Sequence, residues 1–156
     1  MFYSQLCLDS NIENITEIEE FIDHLLQKCN IEEQYRALIS VPLIEGTKNA
    51  IVHGNCCDKS KKVTIAMQIN NAKMHFSIAD EGQGFDFEKI LQQSILERKG
   101  NGLLLIEKLA TNIQFDDNGS KISFVIDVPF SIVDNQKRIN ILNQIQNQEI
   151  KQKHLI

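Results

Sequence analysis

No stretch of this chain approaches the roughly 18–20 consecutive apolar residues that a membrane span requires. The opening residues, MFYSQLCLDS, offer neither a basic start nor an apolar segment, so no export signal is read there. Basic charge is in short supply as well. The chain has 16 lysines and arginines against 21 aspartates and glutamates, a formal net charge of −5, and its pI is near 5.4. A nucleic-acid binder working through a basic face is therefore not expected. The four cysteines, at 7, 29, 56 and 57, form no CxxC pair, which leaves out zinc ribbons and thioredoxin-like motifs. Four free thiols in a reducing cytoplasm are the expectation. No complete GxGxxG and no GxxxxGK[ST] occurs, so neither a dinucleotide fingerprint nor a P-loop is present. What is there is 156 residues, 42% apolar and 24% charged, the balance of one globular domain with a full core.

Residues 4–8 read as a short strand. Ile15, Ile18, Ile22, Leu25 and Cys29 then step by three and four, an amphipathic helix, with Asn14 and Glu17 as its capping pair. A second helical pattern covers 33–53, and Pro42 inside it is expected to kink it. Val63, Ile65, Met67 and Ile69 alternate with polar residues, as do Met74, Phe76 and Ile78, with Asn70 and Asn71 as the turn between them. The segment 102–110 is apolar nearly all round and reads as a helix buried on most sides. A second hairpin follows, from Ile113 and Phe115 through Asp117-Asn118-Gly119 to Ile122, Phe124, Ile126 and Val128. Strands with one apolar face imply an α+β fold: an antiparallel sheet with helices packed on a single face. Residues 131–156, rich in Gln, Asn and Lys, read as a peripheral helix, a frayed tail or a partner-binding helix.

Three clusters carry possible chemistry. Glu45 and Asn49 lie four apart on the second helix, and His53 continues the row. Such a row is either a ligand-binding face or the solvated side. Asp80-Glu81-Gly82-Gln83-Gly84 follows a strand directly, where two glycines allow close backbone approach to a ligand, or simply make a surface loop. Lys99-Gly100-Asn101-Gly102 opens the apolar helix, whose free amides suit phosphate, although a lone GxG is weak on its own.

The order of the clusters adds what each lacks. LIEGTKNAIVHGN (43–55), IADEGQGFD (78–86) and ERKGNGLLLI (97–106) resemble the N, G1 and G2 boxes of the GHKL ATPase superfamily. The resemblance is nearest to bacterial anti-sigma-factor serine/threonine kinases and related stand-alone ATP-binding regulators, and it covers about residues 4–128. It implies a two-layer α/β sandwich, the Bergerat fold, with a mixed, mostly antiparallel sheet. Residues 1–130 would form the ATP-binding domain and 131–156 a C-terminal helix or tail.

By that resemblance Asp80 bonds the adenine amino group, and Gly82 and Gly84 let the loop approach the base. Asn49 holds a magnesium ion bridging the phosphates, a role suited to an oxygen ligand. Gly100, Gly102 and the amides leading into Leu103 cradle the phosphates. His53 and Ser120 are further nucleotide contacts, and 87–101 is a short lid carrying Arg98 and Lys99. Glu45 is the general base toward a serine or threonine hydroxyl. The chain departs from the family pattern at Pro42, at Lys48 (where small or hydroxyl residues are usual), at Asn101 and at Thr111-Asn112. The implied function is a cytoplasmic kinase that phosphorylates a small antagonist protein and binds a sigma factor, with ATP and magnesium as cofactors and a homodimer as its expected form. The alternatives are a nucleotide-dependent binding switch without phosphotransfer, and a small ATPase without a protein acceptor.

Overall fold

The alternation read in the sequence becomes a five-stranded sheet in the computed structural model, which describes residues 2–84, 86, 89, 92 and 102–131. Strands β1 (Tyr3–Asp9), β2 (Lys62–Asn70), β3 (Lys73–Asp80), β4 (Thr111–Asp116) and β5 (Lys121–Ile126) lie in the order β1-β2-β3-β5-β4. All pairings among them are antiparallel, which refines the mixed sheet implied by the family. The described helices are α1 (Ile15–Lys28), α2 (Arg36–Asn49) and α3 (Gly102–Leu109).

Every second residue of the central strands is buried: Val63, Ile65 and Met67 in β2, Met74, Phe76 and Ile78 in β3, Ile122, Phe124 and Ile126 in β5. The register sets Phe76 opposite both Met67 and Phe124, and the two phenylalanine rings stack with centroids 5.8 Å apart. Ile18, Ile22 and Leu25 of α1, Ile39 and Leu43 of α2, and Leu103 and Ile106 of α3 complete one continuous core. Gln68, His75, Ser77 and Ser123 on the other face of the sheet are partly exposed. Cys29 closes the apolar stripe of α1 fully buried, and burial pushes its thiol up to about 11 against the pull of Lys28. It is a core residue.

Several local expectations shift. Asn14 does not cap α1 with its side chain; its amide nitrogen donates to the Asp9 carbonyl at 3.3 Å instead. A 3₁₀ turn, Ile12–Asn14, precedes the helix, and Asn11 accepts from the Glu13 amide to open it. The helix α2 runs through Pro42 to Asn49 without a break. The helix α3 is buried along one face only, through Leu103 and Ile106, whereas Leu105 is 37% exposed. Strand β4 is an edge strand with a register irregularity between Thr111 and Gln114; Phe115, opposite the buried Ile122, is 41% exposed there.

The first hairpin turns one residue later than the asparagine pair suggested. Asn70 pairs with Lys73, so Asn71 and Ala72 are the two turn residues, with φ of 49° and 56°. Two consecutive left-handed residues match the right-handed twist of the strands, the requirement of a type I′ turn. Asparagine tolerates this backbone, but alanine's Cβ is strained by it. Replacing Ala72 with glycine should stabilise the protein by about 0.5–1 kcal/mol, raising its melting temperature by roughly 1–4 °C in a calorimetric scan.

Candidate functional site

The burial alternation of β3 does not stop at Ile78. Two residues on, Asp80 lies on the same face and directly opposite the buried Val63, so a row of apolar side chains ends in a carboxylate. Asp80 is half-buried there, and its Oδ1 accepts the Gly82 amide at 2.8 Å. Burial pushes the carboxyl above the usual aspartate range, opposed by that amide and by Lys61.

Two glycines enclose this carboxylate. A Cβ on Gly54 would fall 2.3 Å from the Asp80 carboxyl carbon, and one on Gly82 would fall 2.0 Å from the Gly54 carbonyl oxygen. Gly84, at φ +79°, lies against the β4–β5 turn, 2.1 Å from the Asn118 carbonyl oxygen by the same measure. Close backbone approach is thus the reason for glycine at all three positions.

The opposite wall comes from α2. Past Asn49 the helix widens into a π turn, Ala50–Gly54, closed by the Asn55 amide donating to the Ala50 carbonyl at 2.8 Å. Gly46, Asn49 and Ala50 of this wall face Ile78, Asp80, Ser120 and Ile122 across a narrow crevice, which Lys121 also lines. Its volume is about 10 Å³, close to the room one water needs. Ile78, Ile122 and Ala50 give the crevice apolar surface, and the Asp80 carboxylate at the strand end gives it an acceptor for an amino group.

Glu45, one turn before Asn49, pairs with Lys48 Nζ at 3.0 Å through Oε1. Its Oε2 lies against the first residue of α3, where a Cβ on Gly102 would be 2.5 Å away. Of the expected site residues, Asn49, Asp80 and Ser120 line the crevice; Gly82 packs beside Asp80, and Glu45 and Gly102 meet where α2 touches α3. Leu103 is buried in the core. His53 is exposed on the π turn and does not line the crevice. Gly100, Arg98 and Lys99 lie outside the described residues. No group of three or more His, Cys, Asp or Glu residues suited to a metal occurs among the described residues. A magnesium ion here would use Asn49 and the oxygens of its ligand, as that ion commonly does.

Asn55 was not foreseen as part of the site. Its fully buried amide donates to Ser10 Oγ at 2.6 Å and to the Lys62 carbonyl at 2.8 Å, while its Oδ1 accepts the Glu81 amide at 2.9 Å. Nothing in the sequence named these distant partners. Asn55→Ala should lower unfolding free energy by about 2–4 kcal/mol in urea melts, because the buried Ser10 hydroxyl, the Lys62 carbonyl and the Glu81 amide lose their partner together.

The Asp80 environment yields a pH prediction. A carboxyl whose folded pKa is raised holds its proton more tightly in the folded state, so stability falls as pH rises through that interval. Asp80→Asn is therefore expected to be more stable than wild type at pH 7. That advantage should vanish as pH drops below the usual aspartate range, which denaturant melts across pH 3.5–7.5 would show.

Comparisons with known proteins agree with this architecture. The chain is 29% identical over 93 residues to a protein named anti-sigma F factor in two strains of Clostridium perfringens. That alignment covers 54% of this chain and 66% of the relative, so it spans just under two thirds of the relatives' length. The solved structure of the RsbU and RsbW domains of Rv1364c from Mycobacterium tuberculosis superposes with a TM-score of 0.58, at 15% identity. It matches 86% of this chain and 35% of the other, a likeness of fold. No helix among the described residues is long and apolar enough to cross a membrane. Residues 8–126 match the histidine kinase-like ATPase domain, and the chain belongs to that family.

Proposed function

We propose that this chain is an ATP-binding regulatory serine/threonine kinase of the anti-sigma-factor type, acting in the cytoplasm on a small antagonist protein and binding a sigma factor or similar partner. The observation that carries the reading is the position of Glu45. Its carboxylate touches Gly102 at the start of α3 while sharing a helix face with Asn49, which lines the crevice that ends at Asp80. In this reading Glu45 is the base, Asn49 the magnesium ligand and Asp80 the acceptor for a purine amino group. Family membership supports ATP as the ligand, and the similarity to anti-sigma F factor supports the partner class.

In this reading Asp80 accepts from the adenine amino group, and Gly82 and Gly84 keep the loop backbone close to the base, with Ser120 beside it. Asn49 offers its side-chain oxygen to magnesium, and Gly100, Gly102 and the amide of Leu103 donate to phosphate oxygens. ATP supplies the γ-phosphoryl group: its bond to the β–γ bridging oxygen breaks as the bond to the acceptor oxygen forms, and ADP leaves. Glu45 takes the proton of the acceptor hydroxyl on a carboxylate oxygen, and the remaining demand is for positioning and charge neutralisation. Self-association into a homodimer belongs to the same proposal.

One observation favours a second reading, a nucleotide-dependent binding switch without phosphotransfer. The Lys48 ammonium already occupies one oxygen of the proposed base. Two measurements decide. At ATP concentrations about a hundred times the dissociation constant, Mg·ATP should add about 2.7 kcal/mol, raising the melting temperature by roughly 5–10 °C. Asp80→Asn should lose that shift while remaining folded. Phosphate transfer from labelled ATP to an antagonist protein should then fall by about a hundredfold or more in Glu45→Ala. Equal transfer by both proteins would refute the base assignment; tight ATP binding with no transfer by wild type would establish the switch.

A further inference from the structure

Glu45 stands between two groups that both attract anions. On one side the Lys48 ammonium lies 3.0 Å from Oε1; on the other, Oε2 rests against Gly102, the first residue of α3. An oxygen at that place is in surroundings suited to a phosphate oxygen as much as to a carboxylate. The pair is held loosely. The Lys48 side chain is 41% exposed and that of Glu45 25%, and the two are only three residues apart on one helix. Pairs of this kind are weak because water and side-chain entropy compete with them. Lysine's ammonium is a compact charge on a flexible stem, easily redirected to a partner carrying more charge. Through Glu45 the Lys48 ammonium is brought beside the start of α3, on the same helix whose Asn49 lines the crevice.

We propose that Lys48 is a phosphate-binding residue of the nucleotide site, held in reserve by Glu45. The polyphosphate of a nucleoside triphosphate draws the ammonium from Oε1, and the same displacement releases the Glu45 carboxylate. The ion pair is thereby a competitor of the nucleotide, with Glu45 standing in for a phosphate oxygen. This assignment rests on the nucleotide reading above and extends it to a residue that reading leaves without a task.

Titration calorimetry with Mg·ATP, Mg·ADP and adenosine tests it on the wild type, Lys48→Met, Lys48→Arg, Glu45→Gln and the Glu45→Gln/Lys48→Met double variant. Lys48→Met should weaken ATP about tenfold or more and ADP less, leave adenosine within about twofold, and be largely rescued by arginine. Glu45→Gln should tighten ATP about threefold or more where Lys48 is present, and much less in the Lys48→Met background. A merely structural Lys48 would move all three ligands together. An unchanged ratio of ATP to adenosine affinity in Lys48→Met, or equal tightening by Glu45→Gln in both backgrounds, overturns the proposal alone. A wild type that binds neither ATP nor adenosine overturns the nucleotide reading as well, and shows it before any variant is made.

Discussion

A buried carboxamide cannot be left unmet, and that constraint organises this molecule. The Asn55 side chain reaches Ser10 after β1, the Lys62 carbonyl at the start of β2 and the Glu81 amide after β3, while its own backbone amide closes the π turn at Ala50. Four segments distant in sequence are thereby held to one another by a single residue. The glycine packing follows from it, since Gly54 precedes Asn55 directly and Gly82 follows Glu81. Once Asn55 has drawn the π turn and the β3 loop together, only residues without side chains fit between them.

The same economy governs charge. Asp80 completes the inward-facing row of β3, where an apolar residue would have stabilised the fold, and burial there holds its carboxyl above the usual aspartate range. The N–H of Gly82 offsets part of that rise and fixes the direction of one oxygen. Glu45 is treated differently: partly exposed and shared between Lys48 and the start of α3, it is kept available. The two carboxylates thus stand in unlike surroundings, one held by the Gly82 amide at a strand end, the other between a lysine and the start of a helix.

Much of the fold was legible because burial imposes a period. The stripe from Ile15 to Cys29 and the alternation of β2, β3 and β5 lead directly to the helix and strands observed. Where periodicity is silent, the expectations drifted. Asn70, Asn71 and Ala72 are separated in role only by the pairing register, so the turn moved by one residue. The apolar composition of α3 did not reveal that Leu105 faces outward, because hydrophobicity in a short helix does not say how many sides have neighbours. His53 was placed on a line with Glu45 and Asn49 by α-helical spacing, and the π turn starting at Ala50 changes that spacing. The order of the three clusters pointed to the family, which the match over residues 8–126 shows. The partners of Asn55 were not legible, being fixed by contacts across 45 and 26 residues of chain.

The stacking of Gly54, Asp80 and Gly82 carries an evolutionary consequence. A methyl group at 54 strikes the carboxyl of Asp80, and one at 82 strikes the carbonyl of Gly54. Neither glycine can drift to an ordinary residue while the others stay in place, so the three positions form an epistatic unit with few single-step exits. A lineage with no further need of the crevice would still meet that barrier, and the stack would persist long after its ligand had been lost.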